Sequence, residues 1–217
     1  MAFFTPKVDT KAISESDFEY IKQSGIYDCK IKFVSVKVND HGARSLDFNV
    51  EYKGSNLTLY GLKLDDNKGN EHFQRKVFNK LCIIAGLESI DEPVDRTEIV
   101  GKDKKEQEFK VLDQFDDFEV KIRIRYRYSK YEGKIRENPE IMGFYRIDDG
   151  ATAAEIVNDT EPGVQLEKDL KYASENKYDD GLTIAEVDAW KAEGRNKDSA
   201  AATQPSEPAK RSNPFKK

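Results

Sequence analysis

Residues 120–128 read VKIRIRYRY. Val120, Ile122, Ile124, Tyr126 and Tyr128 alternate without a break with Lys121, Arg123, Arg125 and Arg127. Successive side chains of a strand point to opposite faces, so a period of two gives one apolar face and one cationic face. A helix, with its period of 3.6, would scatter both sets around its axis. The stretch therefore predicts a strand whose aliphatic and aromatic set fills an interior. Just after it, Tyr131–Lys134 (YEGK) reads as a turn and Glu140–Ile147 (EIMGFYRI) as the partner strand.

Upstream, residues 88–119 carry 12 acids and 5 bases, with Pro93 and Gly101 among them. They read as a long connection with one short strand at Glu108–Leu112. Before it, Glu71–Ala85 sets Phe73, Val77, Phe78, Leu81 and Ile84 on one side of a helix that stops at Gly86. Further back lie strand formers at Ile26–Val38 and a loop at Asn39–Gly42. The alternating run Leu46, Phe48, Val50, Tyr52 then pairs, through Lys53–Gly54, with Asn56–Leu62 as a hairpin. Asp65–Asn70 is a polar loop.

Three strands, a helix and two strands is the chain order of an OB-fold. The expectation is a mainly β chain: a five-stranded OB-like Greek-key barrel with one helix between strands 3 and 4. A mixed α+β sheet domain is the competing architecture. Residues 1–20 read as an N-terminal arm, 21–150 as the OB-like nucleic-acid-binding domain and 151–217 as a tail. In the tail, Leu182, Ile184, Val187 and Trp190 fall near helical spacing over about 182–193, with Gly194 as a stop. Lys197–Lys217 (KDSAAATQPSEPAKRSNPFKK) is too poor in large apolar groups to offset chain entropy and is expected to be disordered.

Composition narrows the function classes. Of 217 residues 35% are charged, against roughly 25% in an average soluble protein, yet 36 basic and 41 acidic residues leave a net charge of only −5. No window of 18 apolar residues exists to span a membrane. The opening MAFFTPKVDTKA does not read as a signal peptide. Cys29, Cys82, His41 and His72 are too few for a disulfide framework or a zinc knuckle. The expectation is a cytoplasmic protein of a reducing compartment (the host cytoplasm, if phage-encoded), with no cofactor, no metal and no membrane partner.

Four like charges on every second residue repel unless something neutralises them. Two readings stay open: neighbouring acids form an ion-pair ladder, or a polyanion binds there. Lys130, Lys134 and Arg136 extend the patch, so that residues 121–136 hold seven bases and one acid. Single-stranded nucleic acid is held by a basic groove together with rings on which bases stack. Tyr131 at the turn, Tyr60 and Tyr145 are the candidate stacking residues. Tyr126, Tyr128 and Phe144 read as core. The Asn39–Arg44 loop (NDHGAR) offers His41 and Arg44 for backbone contact. Catalytic motifs are missing: there is no GxSxG, no HExxH and no phosphate-binding glycine loop. The chain is read as a non-enzyme, with the acidic pairs Asp65–Asp66 and Asp116–Asp117 supporting a magnesium nuclease as a remote alternative.

The helix end Phe78–Gly86 (FNKLCIIAG), the acidic stretch after it, the cationic strand and then YEGK followed by ENPEIMGFY (residues 137–145) resemble a family of small bacteriophage proteins. That family was first catalogued as a domain of unknown function and is regarded as single-stranded DNA-binding proteins with an OB-type core. The resemblance covers residues 13–147. It implies a largely sequence-independent binder that coats exposed single-stranded DNA during phage replication or recombination. Replication or recombination proteins would be recruited through the C-terminal tail, although the ending Asn213-Pro214-Phe215-Lys216-Lys217 departs from the acidic, hydrophobic-tipped tails of many such proteins. The alternative is a protein-binding OB module or host-directed inhibitor that does not bind nucleic acid.

Overall fold

A computed structural model of the chain describes residues 19–100 and 105–200. Eight strands are present: β1 Gly25–Val38, β2 Arg44–Tyr52, β3 Ser55–Lys63, β4 Val94–Val100, β5 Lys105–Leu112, β6 Phe118–Tyr131, β7 Lys134–Arg146 and β8 Lys177–Tyr178. Four helices join them: α1 Arg75–Ile84, α2 Ala153–Val157, α3 Val164–Leu170 and α4 Ile184–Ala200. The chain is mainly β, as expected, with 45% strand and 21% helix. None of the described helices is long and apolar enough to cross a membrane.

The 14 residues of β1 organise the sheet. On one flank, Lys30–Val38 pair with β2 in antiparallel register. On the other, Gly25–Ile31 pair with β6 and Val34–Val36 with β5. A bulge between Ile31 and Phe33 separates these two segments. Bulges sharpen the local twist, which suits a strand whose two ends serve different neighbours. Between β5 and β6 a 3-10 turn at Asp113–Phe115 carries the chain off the edge of β1 and drives Phe115 into the core. There its ring meets Phe78 of α1 at 5.6 Å.

The expected five strands are therefore eight. The acidic stretch read as a connection forms the β4–β5 hairpin, seven residue pairs long from Val94–Val111 to Val100–Lys105. One face of β4 is half-buried through Arg96, Glu98 and Val100, but two of these three are charged, so no apolar alternation announces the strand. The meander β3-β2-β1 continues through β6 to β7, and β3 and β7 do not share a ladder, so the sheet is open. The helix falls between β3 and β4, but it starts at Arg75, later than expected. Phe73 lies before it and is exposed rather than on its buried side.

Among the described residues the chain divides into two compact units. One lies within Met1–Arg127 and Glu137–Lys177, the other within Tyr128–Arg136 and Tyr178–Lys217. The expected tail helix at about 182–193 is present as α4, which runs on through Gly194 to Ala200. Residues 151–178 add α2, α3 and β8, so the expectation of a single helix after residue 150 is corrected. Thr152 and Glu155 form a reciprocal capping box on α2. Residues 201–217, including most of the stretch expected to be disordered, and residues 1–18 of the expected arm lie outside the described residues.

The core of the first unit is built from alternating positions: Leu46, Phe48 and Val50 of β2, Leu59 of β3, and Val120, Ile122, Ile124 and Tyr126 of β6 are all buried. Phe48 meets Phe144 of β7 with ring centroids 5.7 Å apart. In the second unit the buried Tyr128 stacks on Tyr178 at 5.5 Å, and Lys191 Nζ donates to Tyr128 Oη at 2.5 Å. Leu182 and Val187 are buried there as well.

Because Phe48 is fully buried against Phe144, Phe48→Ala removes apolar contact and leaves a cavity. The expected loss of stability is about 3–5 kcal/mol, read as a lowered urea midpoint at an unchanged slope. A loss below about 1 kcal/mol would place Phe48 outside the core.

Candidate functional site

The alternation on β6 holds residue by residue, with Val120 to Tyr128 buried and Lys121 to Arg127 half-exposed on the opposite face. Each of those four cations meets a carboxylate. Lys121 Nζ lies 2.8 Å from Asp28 on β1, and Arg123 Nη1 lies 2.8 Å from Asp169 on α3. Arg125 Nη2 and Arg127 Nη1 approach the two oxygens of Glu140 on β7 at 3.0 and 3.2 Å. These acids come from β1, β7 and α3, with Asp169 lying 46 residues after Arg123, which no local pattern could announce.

Other candidates also have internal partners. Arg44 Nε donates to Asp65 Oδ2 at 2.5 Å, and Arg75 donates to the other oxygen of the same buried carboxylate. The hydrogen bond from Arg44 holds the Asp65 carboxyl below its ordinary value. Tyr145 is buried and donates its hydroxyl to Asp169 Oδ2 at 2.6 Å. Burial, then that hydrogen bond, pushes its phenol up. A ring held this way presents no face to a base. Tyr126 and Phe144, read as core, are buried. His41 is exposed in the β1–β2 turn, where its amide donates to Asn39 Oδ1 at 3.0 Å.

Tyr60 is in a different position. It is 68% exposed, and a β-bulge where Leu46 and Phe48 of β2 face Leu62 and Leu59 of β3 sets its direction. Gly61 takes a φ of +74° within the bulge, a backbone conformation a side chain would strain. Its amide donates to Asp47 Oδ1 at 2.7 Å, while Lys37 Nζ pairs with Asp47 Oδ2 at 2.5 Å. Lys37 Nζ also lies 5.6 Å from the Tyr60 ring centroid. The buried Asp47 thus fixes both the bulge and the cation beside the ring, the sort of re-aiming for which bulges are kept.

Tyr60 opens onto a cleft of about 310 Å³. Gly61–Lys63 of β3, His72–Gln74 before α1, Arg127 of β6 and Asn138–Ile141 of β7 complete its walls. Phe73 is 73% exposed in this cleft and packs on His72 with centroids 4.4 Å apart. The sequence reading missed Phe73 and His72, because helical spacing assigned Phe73 to the core. Gln74 takes the position before α1 without a side-chain cap, its amide oxygen accepting from Lys63 N at 3.0 Å, so no local signal in the sequence marks Phe73 as outside the helix. A larger groove of about 960 Å³ runs between the β2–β3 hairpin and β4, but its walls include Glu98, Asp116 and Asp117. Those acids engage Arg96, Lys30 and Lys32.

In the second unit the β6–β7 turn carries Tyr131, 51% exposed, with the Arg136 guanidinium 3.9 Å from its ring centroid. Lys130 Nζ pairs with Glu186 at 3.3 Å, and Lys134 is exposed. Among the described residues no group of three or more His, Cys, Asp or Glu is placed to hold a metal ion. Of the acidic pairs noted in the sequence, Asp65 is taken by Arg44 and Arg75, and Asp66 caps its own loop by accepting from the amides of Lys68 and Asn70. Asp116 pairs with Arg96, and Asp117 with Lys30 and Lys32. Compared with protein-family models and with curated proteins, the chain gave no match.

The depressed Asp65 carboxyl makes part of the stability pH-dependent. The ion pairs stabilise the fold above the unfolded-chain value near 3.9, and that contribution is lost as pH falls through the lower folded value. Asp65→Asn should therefore be less stable than the wild type at pH 7, with the gap narrowing at an acid pH below the unfolded-chain value. Denaturant midpoints at both pH values measure this, and a gap that persists unchanged in acid would remove Asp65 as the titrating group.

Proposed function

We propose that the protein binds single-stranded DNA, largely without sequence preference, by stacking unpaired bases on its exposed rings. In this reading it coats exposed DNA during phage replication or recombination, as the family resemblance implies. The observation that carries it is the exposure of Tyr60 and Phe73 along one cleft that also contains His72, Lys63 and Arg127. Exposed large rings clustered on a charged surface mark an interaction site, and each stacked base contributes about 1–3 kcal/mol. Tyr131, backed by Arg136, supplies a ring of the same kind at the β6–β7 turn.

The strand path supports the finer architecture. We read β1, β2, β3, β6 and β7, with α1 between the third and fourth of them, as an OB-like core in which β4–β5 is an insertion. OB-folds bind oligonucleotides across the face of their second and third strands and the adjoining loops. Tyr60 stands on the third strand. In this proposal the cations of β6 play a smaller part than the sequence suggests, because each has a carboxylate partner. Those same pairs favour the second reading, a protein-binding module in which the rings dock an apolar partner.

Labelled oligonucleotides distinguish the two. Single strands should bind more tightly than the matching duplex, because stacking needs unpaired bases. Tyr60→Ala and Phe73→Ala should each weaken binding by about 1–3 kcal/mol and leave the salt dependence nearly unchanged. Two to four engaged phosphates would give a slope of log K against log salt of about −1.4 to −2.8. Glu140→Gln, which removes an acid from the cleft wall, should tighten binding and steepen the slope. Equal affinity for duplex and single strand, or ring variants that bind normally, would overturn the proposal, and no binding at all would leave the protein-docking reading.

A further inference from the structure

Strand β4 is an edge. Among the described residues its only partner is β5, so its other flank presents main-chain N–H and C=O groups without a ladder. Natural proteins blunt such edges with proline, bulges, very short strands or charged side chains, lysine above all. The seven residues of β4, VDRTEIV, contain no proline and keep an unbroken register with β5. Ile99 is 64% exposed and Val94 is exposed as well.

The strand is also complementary to itself. When two copies meet edge to edge about a two-fold axis perpendicular to the sheet, the antiparallel pairing is centred on a single residue and opposed side chains share a face. Centring on Thr97 sets Arg96 of each copy, which within its own chain pairs with Asp116 and lies 2.7 Å from Glu98, opposite Glu98 of the other copy, and Val94 opposite Val100. On the other face Thr97 meets Thr97 and Asp95 meets Ile99. Centring on Arg96 or on Glu98 instead sets like charges directly opposite, which is destabilising. One register thus sets no like charges directly opposite, and the adjacent ones are penalised.

We propose that β4 pairs with β4 of a second copy of this chain, in antiparallel register about Thr97, to form a two-fold dimer with a sheet continuous across the interface. The proposal is independent of what the Tyr60 cleft binds.

Light scattering on the full chain over a concentration series tests it. The expected mass is twice the 24.8 kDa of one chain. Thr97→Lys is the informative variant. Within one copy the new lysine faces Glu108 of β5 and supports the hairpin, whereas across the interface two lysines meet. The expected result is a folded protein by circular dichroism whose dimer dissociation constant rises at least tenfold. Thr97→Cys supplies a second measurement: on mild oxidation it should give a disulfide-linked dimer well above the background of the wild type, whose Cys29 is buried and Cys82 half-buried. A wild-type chain that stays monomeric throughout, a Thr97→Lys dimer as tight as the wild type, or no cross-link through position 97 would each overturn the proposal.

Discussion

The main-chain hydrogen bonding of β1 is the constraint on which the first unit depends. Burying a strand requires partners for the amides and carbonyls on both of its flanks. β2 supplies them along Lys30–Val38, and β6 and then β5 supply them on the other side. The division of that second flank forces the 3-10 excursion at Asp113–Phe115, which places Phe115 in the core against α1. It also brings Asp117 within reach of Lys30 and Lys32 at 3.0 and 3.2 Å. A bulge in one strand, an interrupted neighbour, a buried ring and an ion pair follow from one pairing requirement.

Charge follows a similar economy. A face of four cations at two-residue spacing looks like a phosphate track when the strand is read alone. In the fold, carboxylates from β1, β7 and α3 lie against it, and Glu140 serves two guanidiniums. Asp169 holds both Arg123 and the hydroxyl of Tyr145. Helix α3 therefore contributes a carboxylate to the sheet's polar face. A chain that is 35% charged yet nearly neutral in net charge has the acids for such internal pairing.

The rings left in water are those that the backbone directs there. Tyr60 points outward because Asp47 anchors a bulge at Gly61. Phe73 does so because α1 begins two residues after it. Both rest on local backbone geometry, so the two rings stand exposed along one cleft.

The sequence by itself determined the strand alternation of β6, the β2–β3 hairpin, the helix after β3 and the mainly β class, because each is written in the period of apolar residues within a short window. The burial of Tyr126, Tyr128 and Phe144 was legible for the same reason. Only the tertiary structure decided that the acidic connection is the β4–β5 hairpin, since a strand whose half-buried face is carried largely by Arg96 and Glu98 shows no apolar period and takes its register from backbone pairing. It decided too that Arg44 and Tyr145 are held by Asp65 and Asp169 while Tyr60 and Phe73 remain exposed. The acids that pair with the β6 cations lie between 13 and 93 residues away along the chain. Charge complementarity over such separations is a property of the folded surface, and no window of sequence contains it.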